Sequence, residues 1–119
     1  MPWYSDLLNS NRSTTEFVKG RFKKVQFGII RQHETSDAII RRAQFVLDGE
    51  PLIISTATIP KDNPLAFLRQ VREQKTPIGD IIKDNKYCVE RHILSNDRAS
   101  KHYKIEGDVW MEVYEEYFE

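Results

Sequence analysis

Apolar and polar residues alternate along much of this chain, and the alternation predicts several short β-strands. The clearest case is residues 39–60, where two apolar runs flank the dipeptide Asp48-Gly49. Asp-Gly suits the positive φ angles of a tight two-residue turn. The pattern therefore predicts a β-hairpin with strands over residues 39–47 and 51–59.

Four further segments have the composition of strands. Each combines β-branched or aromatic residues with an approximate period of two. The polar residues 33–37 that follow the first of these segments predict a turn. The four predicted strands are residues 21–32, 87–94, 100–105 and 109–118.

Three segments carry the start signals of short helices. Ser13 and Glu16 have the spacing of a capping box, in which each side chain bonds a free backbone amide of the first turn. Asn63-Pro64 and Thr76-Pro77 each place a capping residue before a proline, which the first helical position tolerates. The first predicted helix covers residues 13–19, and the second begins at Pro64. The third begins at Thr76-Pro77 and ends at about Lys83.

These elements predict an α+β fold with a single antiparallel β-sheet and short flanking helices. A chain of 119 residues suits one domain with one core. We therefore predict that residues 1–119 form one domain.

Charge and composition exclude several classes of partner. Basic and acidic residues both number 18, so a broad positive surface for nucleic acid is absent. No apolar run approaches the roughly 20 residues that span a bilayer, and the first residues lack the basic and apolar blocks of a signal peptide. We expect a cytoplasmic protein that binds neither nucleic acid nor membrane, and we expect it to be a monomer.

Arg41 is the residue that departs most from the hydrophobic pattern. Side chains alternate between the two faces of a strand, so Arg41 shares a face with Ile39, Ala43 and Phe45, whereas Arg42 points the other way. A buried guanidinium needs a partner because its charge cannot be neutralised. Arg41 therefore predicts an internal anion, either an Asp or Glu of the protein or the anionic group of a ligand. A strand at the edge of the sheet is a third explanation.

Two predicted helix starts add to this picture. The first turn of a helix presents free amides and the positive end of its dipole, which favours carboxylates. Thr14-Thr15 and Ile78-Gly79 occupy such positions. If both starts converge with Arg41, the pocket suits a small molecule with more than one carboxylate. The histidines and Cys88 lack the spacing of metal ligands, so we expect no metal site.

Several separated motifs occur in the order of one known family, and the chain resembles chorismate lyase and the related chorismate-lyase-like proteins. The family has a Ser-x-Thr segment, an arginine ten residues before a proline, an apolar residue followed by proline, a Thr-Pro-Leu-Gly segment, and a glutamate in its closing strand. The similar segments of this chain are Ser13–Thr15, Arg41–Pro51, Ile59-Pro60, Thr76–Gly79 and Glu115–Phe118.

The resemblance implies a lyase that removes the enolpyruvyl group of chorismate as pyruvate and leaves 4-hydroxybenzoate, an aromatic precursor of ubiquinone-type compounds. It implies no metal or organic cofactor. In such an enzyme Arg41 binds the ring carboxylate together with backbone amides at Thr14 and Ile78. Glu116 contacts the hydroxyl end of the ring. Arg41 and Glu116 are accordingly the expected catalytic residues, and an aromatic-precursor carboxylate is the expected partner.

The choice of glutamate stays open at this level. Alternation places Glu112 and Glu116 on the face of Trp110, whereas Glu115 lies on the face of Met111 and Val113, which is more typical of core. Any of the three glutamates can therefore face Arg41. A glutamate that pairs with Arg41 within the protein is the purely structural explanation.

Two other functions also fit the sequence. Residues 47–60 resemble the effector-binding domains of certain transcription regulators, which bind small ligands without chemistry. A non-catalytic sensor of small carboxylates is therefore the first alternative. A family member that keeps the fold for protein interaction is the second, because a fold does not determine a function.

Overall fold

A computed structural model describes residues 2–119 of the chain. Six strands and four helices follow the order α1, α2, β1, β2, β3, α3, α4, β4, β5, β6. The helices are Ser5–Leu8, Thr14–Arg21, Leu65–Arg72 and Ile78–Asp84; the strands are Gln26–Glu34, Ala38–Leu47, Glu50–Pro60, Val89–Asn96, Ser100–Gly107 and Met111–Tyr117.

The strands form one antiparallel sheet in the order β1-β2-β3-β6-β5-β4. This arrangement confirms the predicted α+β class. Asp48 and Gly49 both have positive φ and join β2 to β3, as the hairpin pattern predicts. Within residues 2–119 no helix is both long enough and apolar enough to cross a membrane.

Helix α2 differs from its predicted bounds. Ser13 accepts a hydrogen bond from the backbone N–H of Glu16 and caps the helix as expected. The helix then continues through Gly20 to Arg21, so β1 begins only at Gln26. Basic residues in its last turn favour the longer helix, because they interact well with the negative end of the dipole.

Asn63 does not cap α3, which starts after Pro64 without a side-chain cap. The Asn63 amide is buried and donates to the carbonyls of Pro60 and Trp110, while its oxygen accepts from the Trp110 N–H. Asn63 therefore joins the end of β3 to the start of β6. The short helix α1 was not predicted.

All four helices contribute buried side chains to one side of the sheet, where two hydrophobic clusters lie. The first cluster joins α3 and α4 to the sheet, and the second joins α1 and α2 to it. Residues of the first cluster include Ile39, Ile59, Phe67, Leu68, Val71, Ile81, Val109 and Met111; those of the second include Leu7, Phe17, Val18, Phe45, Ile53 and Tyr117. Polar and charged residues separate the two clusters on the buried face.

Candidate functional site

A cavity lies between the two hydrophobic clusters, under the starts of α2 and α4. The cavity volume is about 50 Å³, and it lies within a partly open depression whose total empty space, open solvent included, is about 550 Å³. One portion of its wall is apolar and another is polar. The apolar wall comprises Phe27, Ala43, Phe45, Ile53, Ala57, Pro77, Ile78, Ile105 and Val113; the polar wall comprises Ser13, Thr14, Thr15, Arg41, Ser55, Gly79, Arg91, Tyr103 and Glu115.

Arg41 lines this cavity and is 2% exposed. Its strand β2 lies between β1 and β3, so an edge position does not explain the residue. Its guanidinium donates from Nε to Gln32 Oε1 at 2.8 Å, from Nη1 to the Thr76 carbonyl at 2.8 Å, and from Nη2 to the Val71 carbonyl at 2.9 Å. Each terminal nitrogen therefore keeps one N–H bond without a protein acceptor.

Arg41 has neutral acceptors only. Among residues 2–119 no Asp or Glu forms a salt bridge with its guanidinium, and burial alone lowers the Arg41 pKa from 12.5 to about 10. An internal ion pair is therefore not the reason for its burial. The arrangement fixes the orientation of the side chain and leaves its charge uncompensated.

Glu115 is the buried acid of the cavity, with 3% of its surface exposed. Three hydroxyl groups donate to it: Thr14 and Tyr117 donate to Oε1 at 2.9 and 2.7 Å, and Tyr103 donates to Oε2 at 2.9 Å. Burial and the charge of Glu115 raise the pKa values of Tyr103 and Tyr117 well above their ordinary range. Both phenols consequently remain hydrogen-bond donors.

The glutamate that lines the cavity is Glu115, and the expectation of Glu116 is wrong in this respect. Glu116 pairs with Ile54 and Ser100 on the opposite face of the sheet, and Glu112 lies on that face too. Adjacent residues of a strand point to opposite sides, so a shift of one position exchanges the core for the outer surface. The alternation with Met111 and Val113 identifies the buried position correctly.

Thr14 and Ile78 lie where the sequence places them, at the first positions of α2 and α4 beside the cavity. The side chain of Thr14 donates to Glu115 and so has a structural partner. Gly79 allows the two helix starts to meet, because a Cβ atom there would lie 2.6 Å from Thr15 Oγ1 and 2.9 Å from Ser13 Oγ. The predicted convergence of these two segments with Arg41 is therefore present.

The strand register places Arg41 and Glu115 at separate positions along the floor of the cavity. Arg41 is in line with Ala57 of β3 and Val113 of β6, and Glu115 lies two residues beyond Val113. Two strand spacings and two residues along the strand separate their Cα atoms by roughly 12 Å. The cavity thus has a cationic group at one position and an anionic group at another, with apolar wall between them.

No family model matches this chain, and no match was found among curated proteins.

Two cations near the cavity were missed by sequence reasoning. Arg91 lines the cavity from β4, and Lys101 is buried behind it on β5, directly opposite Glu115 in the register. Lys101 Nζ donates to the carbonyls of Leu7 and Ser10, and burial lowers its pKa. The period-two pattern of β4 and β5 indicates that both residues face inward, since Arg91 and Lys101 alternate with polar residues of the outer face.

The described residues contain no group of three or more His, Cys, Asp or Glu side chains arranged to hold a metal ion. The side chains that bring chemistry to the cavity are Arg41, Arg91, Glu115 and the neighbouring hydroxyl groups. These groups can bind and orient an anion, donate and accept hydrogen bonds, and accept a proton at Glu115.

Proposed function

We propose that the chain is a lyase that eliminates pyruvate from chorismate and releases 4-hydroxybenzoate. The observation that carries the proposal is that Arg41 and Glu115, both almost fully buried, line one cavity without forming an ion pair with each other. A ring with a carboxylate at one end and a hydroxyl at the opposite end matches these two groups in charge and hydrogen bonding.

Arg41 is the group that binds the ring carboxylate. Its two remaining N–H bonds, one on each terminal nitrogen, can donate to the two carboxylate oxygens. The bonds to Gln32, Val71 and Thr76 hold the guanidinium before the ligand arrives. Such preorganisation lowers the entropy cost of binding and keeps the ring in one orientation.

Glu115 is the group that holds the ring hydroxyl. A carboxylate offers about four lone-pair sites, and three protein hydroxyls occupy three of them. The remaining site belongs to Oε2, which accepts from Tyr103 alone. A ligand hydroxyl can donate to this lone pair, and during the elimination the same lone pair is the one available to the proton on the ring carbon that carries the hydroxyl.

The proposed reaction turns the cyclohexadiene of chorismate into an aromatic ring. The bond from ring C3 to the ether oxygen breaks, and C4 loses its hydrogen as a proton. The departing enolpyruvate takes up a proton at its methylene carbon and becomes pyruvate. C4 also carries the hydroxyl that Glu115 holds, so we assign Glu115 as the acceptor of the C4 proton. Aromatisation favours the product, so orientation is the main task of the protein.

Sequence resemblance supports the same reading. Arg41, Thr14 and Ile78 are the residues that the resemblance to chorismate lyase selects, and all three line the cavity. The glutamate is displaced by one position, from Glu116 to Glu115. Both residues belong to the motif Glu115–Phe118, so the correction leaves the motif unchanged.

A non-catalytic sensor of small carboxylates is the second candidate. The observation that favours it is the set of three hydroxyl donors around Glu115, because these donors already occupy most of the lone pairs that a proton acceptor would use. The sensor and the lyase share the binding contacts with Arg41 and Glu115. They differ only in whether chorismate is converted.

The test is turnover of chorismate by the purified protein, followed through pyruvate and 4-hydroxybenzoate. Arg41→Met and Glu115→Gln are expected to lower kcat/KM by about a hundredfold or more, because each removes a charged contact to the reacting ring. Arg42→Met and Glu116→Gln change the same charges on the outer face and serve as matched controls.

Binding of 4-hydroxybenzoate without release of pyruvate from chorismate would reject the lyase and favour the sensor. Equal losses in Glu115→Gln and Glu116→Gln would contradict the assignment of the buried glutamate. Circular dichroism of each variant separates a lost contact from a lost fold.

A further inference from the structure

Arg91 is a second arginine of the cavity that has no anionic partner. It faces the buried side of β4, where it pairs in register with Ile105. Within residues 2–119 its guanidinium forms neither a salt bridge nor a hydrogen bond to another side chain. The nearby acids face away from it, since Glu90 and Glu106 lie close to His92 on the outer face. Arg91 is therefore a partly exposed cation that the protein itself does not neutralise.

The position of Arg91 differs from that of Arg41. Three strands, β3, β6 and β5, separate β2 from β4 in the sheet, so the two arginines extend into the cavity from strands roughly 19 Å apart. Glu115 lies on β6, between them in strand order, and is four residues along that strand from Met111, which is in line with Arg91. The charge of Arg91 also acts on Tyr103, the phenol that donates to Glu115. The cavity thus presents three contact points, which are Arg41, Glu115 and Arg91.

The charges in and behind the cavity do not balance. Arg41, Arg91 and Lys101 are three cations, whereas Glu115 is one anion, which gives a net charge of +2. Uncompensated charge in a partly dehydrated site is costly, and a bound anion relieves that cost. A ligand with two negative charges neutralises the site fully, whereas a monocarboxylate neutralises half of it.

We propose that Arg91 is a specificity residue that binds a second carboxylate, so that the cavity selects dianions carrying a ring hydroxyl. This inference rests on the proposed function, in which Arg41 holds the ring carboxylate and Glu115 the hydroxyl. The second carboxylate belongs to the side arm that the elimination removes. Product then leaves with one negative charge fewer than substrate, and release of the side arm also ends its contact with Arg91.

The experiment compares two probes by calorimetry. One is 3-carboxymethoxy-4-hydroxybenzoate, a stable dianion with the ring carboxylate, the hydroxyl and an acidic ether arm. The other is 3-methoxy-4-hydroxybenzoate, which has the same ring and ether but lacks the second carboxylate. Arg91→Gln is the test variant, and Arg98→Gln, an exposed arginine of the β4–β5 turn, is the matched control.

Arg91→Gln is expected to weaken binding of the dianion by roughly ten- to hundredfold and binding of the monoanion by less than about threefold. Arg98→Gln is expected to change neither. Equal losses for both probes, or no loss for the dianion, would overturn the assignment. The comparison of probes within one variant removes general effects of folding.

The two proposals fail in different ways. If Arg91→Gln weakens binding of the dianion as expected but chorismate is not converted, the lyase is rejected and the dianion site stands. If the monoanion binds through Arg41 but Arg91→Gln does not discriminate between the probes, the specificity role is rejected and the carboxylate pocket stands. If the wild-type protein binds neither probe, both proposals are rejected.

Discussion

Replacing Arg41 by methionine separates a binding role from a structural one. Methionine retains a flexible apolar stem that can fill the space along β2, but it removes the guanidinium and its charge. We predict that the fold of Arg41→Met persists while carboxylate binding is lost. Arg42→Met is the internal control, because it removes the same charge from the next residue, which is exposed on the other face.

The effect on stability follows from two opposing contributions. Loss of Arg41 removes the guanidinium donor from the Thr76 carbonyl and from Gln32 Oε1, both part-buried, and acceptors left without a donor cost up to about 1–3 kcal/mol. The Val71 carbonyl still accepts from Gln32 and Gln74, so it remains paired. In the other direction, a pKa lowered from 12.5 to about 10 corresponds to a penalty of roughly 3 kcal/mol on the buried charge.

These contributions largely cancel, so the free energy of unfolding is expected to change by no more than about 2 kcal/mol in either direction. For a chain of this size the thermal midpoint then shifts by at most roughly 10 °C. A thermal unfolding curve measured by circular dichroism checks this expectation. A collapse of the folded state would show that Arg41 mainly holds the structure together.

The effect on binding is much larger. The two free N–H bonds of Arg41 each form a charge-assisted hydrogen bond to the ligand carboxylate, at about 1.5–3 kcal/mol apiece. Their loss lowers the affinity by about a hundred- to ten-thousandfold. Calorimetry with benzoate and with 4-hydroxybenzoate measures the change, and both ligands are expected to lose equally because both carry the carboxylate.

Binding of benzoate by Arg41→Met within about threefold of the wild-type affinity would refute the carboxylate contact, since removal of such a contact costs more than that. An equal loss of affinity in Arg42→Met would refute it too. The second result would mean that overall charge, rather than a local contact, draws in the anion.

Three further predictions concern Glu115, Tyr103 and Gly79. Glu115→Gln should reduce the affinity for 4-hydroxybenzoate to that for benzoate, measured by calorimetry, while Glu116→Gln should leave both unchanged. Burial raises the pKa of Tyr103 above the ordinary value of 10, so the contribution of Tyr103 to stability is complete below pH 10 and is lost as the pH rises further. Urea unfolding measured across this pH range should show the fall in the free energy of unfolding, and the fall should be smaller in Tyr103→Phe. Gly79→Ala should destabilise the protein by about 1–3 kcal/mol through crowding of Thr15, whereas Gly20→Ala, with open space around the added Cβ, should be neutral or stabilising in the same thermal assay.

The sheet and most of its elements could be predicted from local sequence, because strand alternation, the Asp48-Gly49 turn and the Ser13 cap depend on neighbouring residues. The burial of Arg41 followed from the same alternation. Helix α1 is too short to show a period, and its residue Leu7 is buried by contacts with distant parts of the chain. Contacts of that kind leave no local pattern.

The glutamate shows where two kinds of inference differ in precision. Resemblance of motifs pointed to Glu116, but a motif match does not fix the position to one residue. Alternation grouped Glu115 with Met111 and Val113, and side chains one residue apart lie on opposite faces. The physical pattern therefore had the finer resolution, and the structure agrees with it.

The partners of Arg41 and the site of Arg91 required the tertiary structure. The Arg41 acceptors lie 9 to 35 residues away in sequence, on β1, at the end of α3 and before α4. Arg91 reaches the cavity only because β4 pairs with β5 at the far edge of the sheet, in a register that shifts between Ile93 and Ser95. Such a register cannot be deduced from composition.

A band of charge through the middle of a small core is costly, and its placement argues for a function. Apolar residues at the positions of Arg41, Lys101 and Glu115 would join the two hydrophobic clusters into one, and such replacements are often neutral or stabilising. Glu115 compensates only one of the cations. Among the described residues no acid pairs with Arg41, whose guanidinium has three neutral acceptors. The dianionic ligand that we propose would match the charge that these residues leave unbalanced.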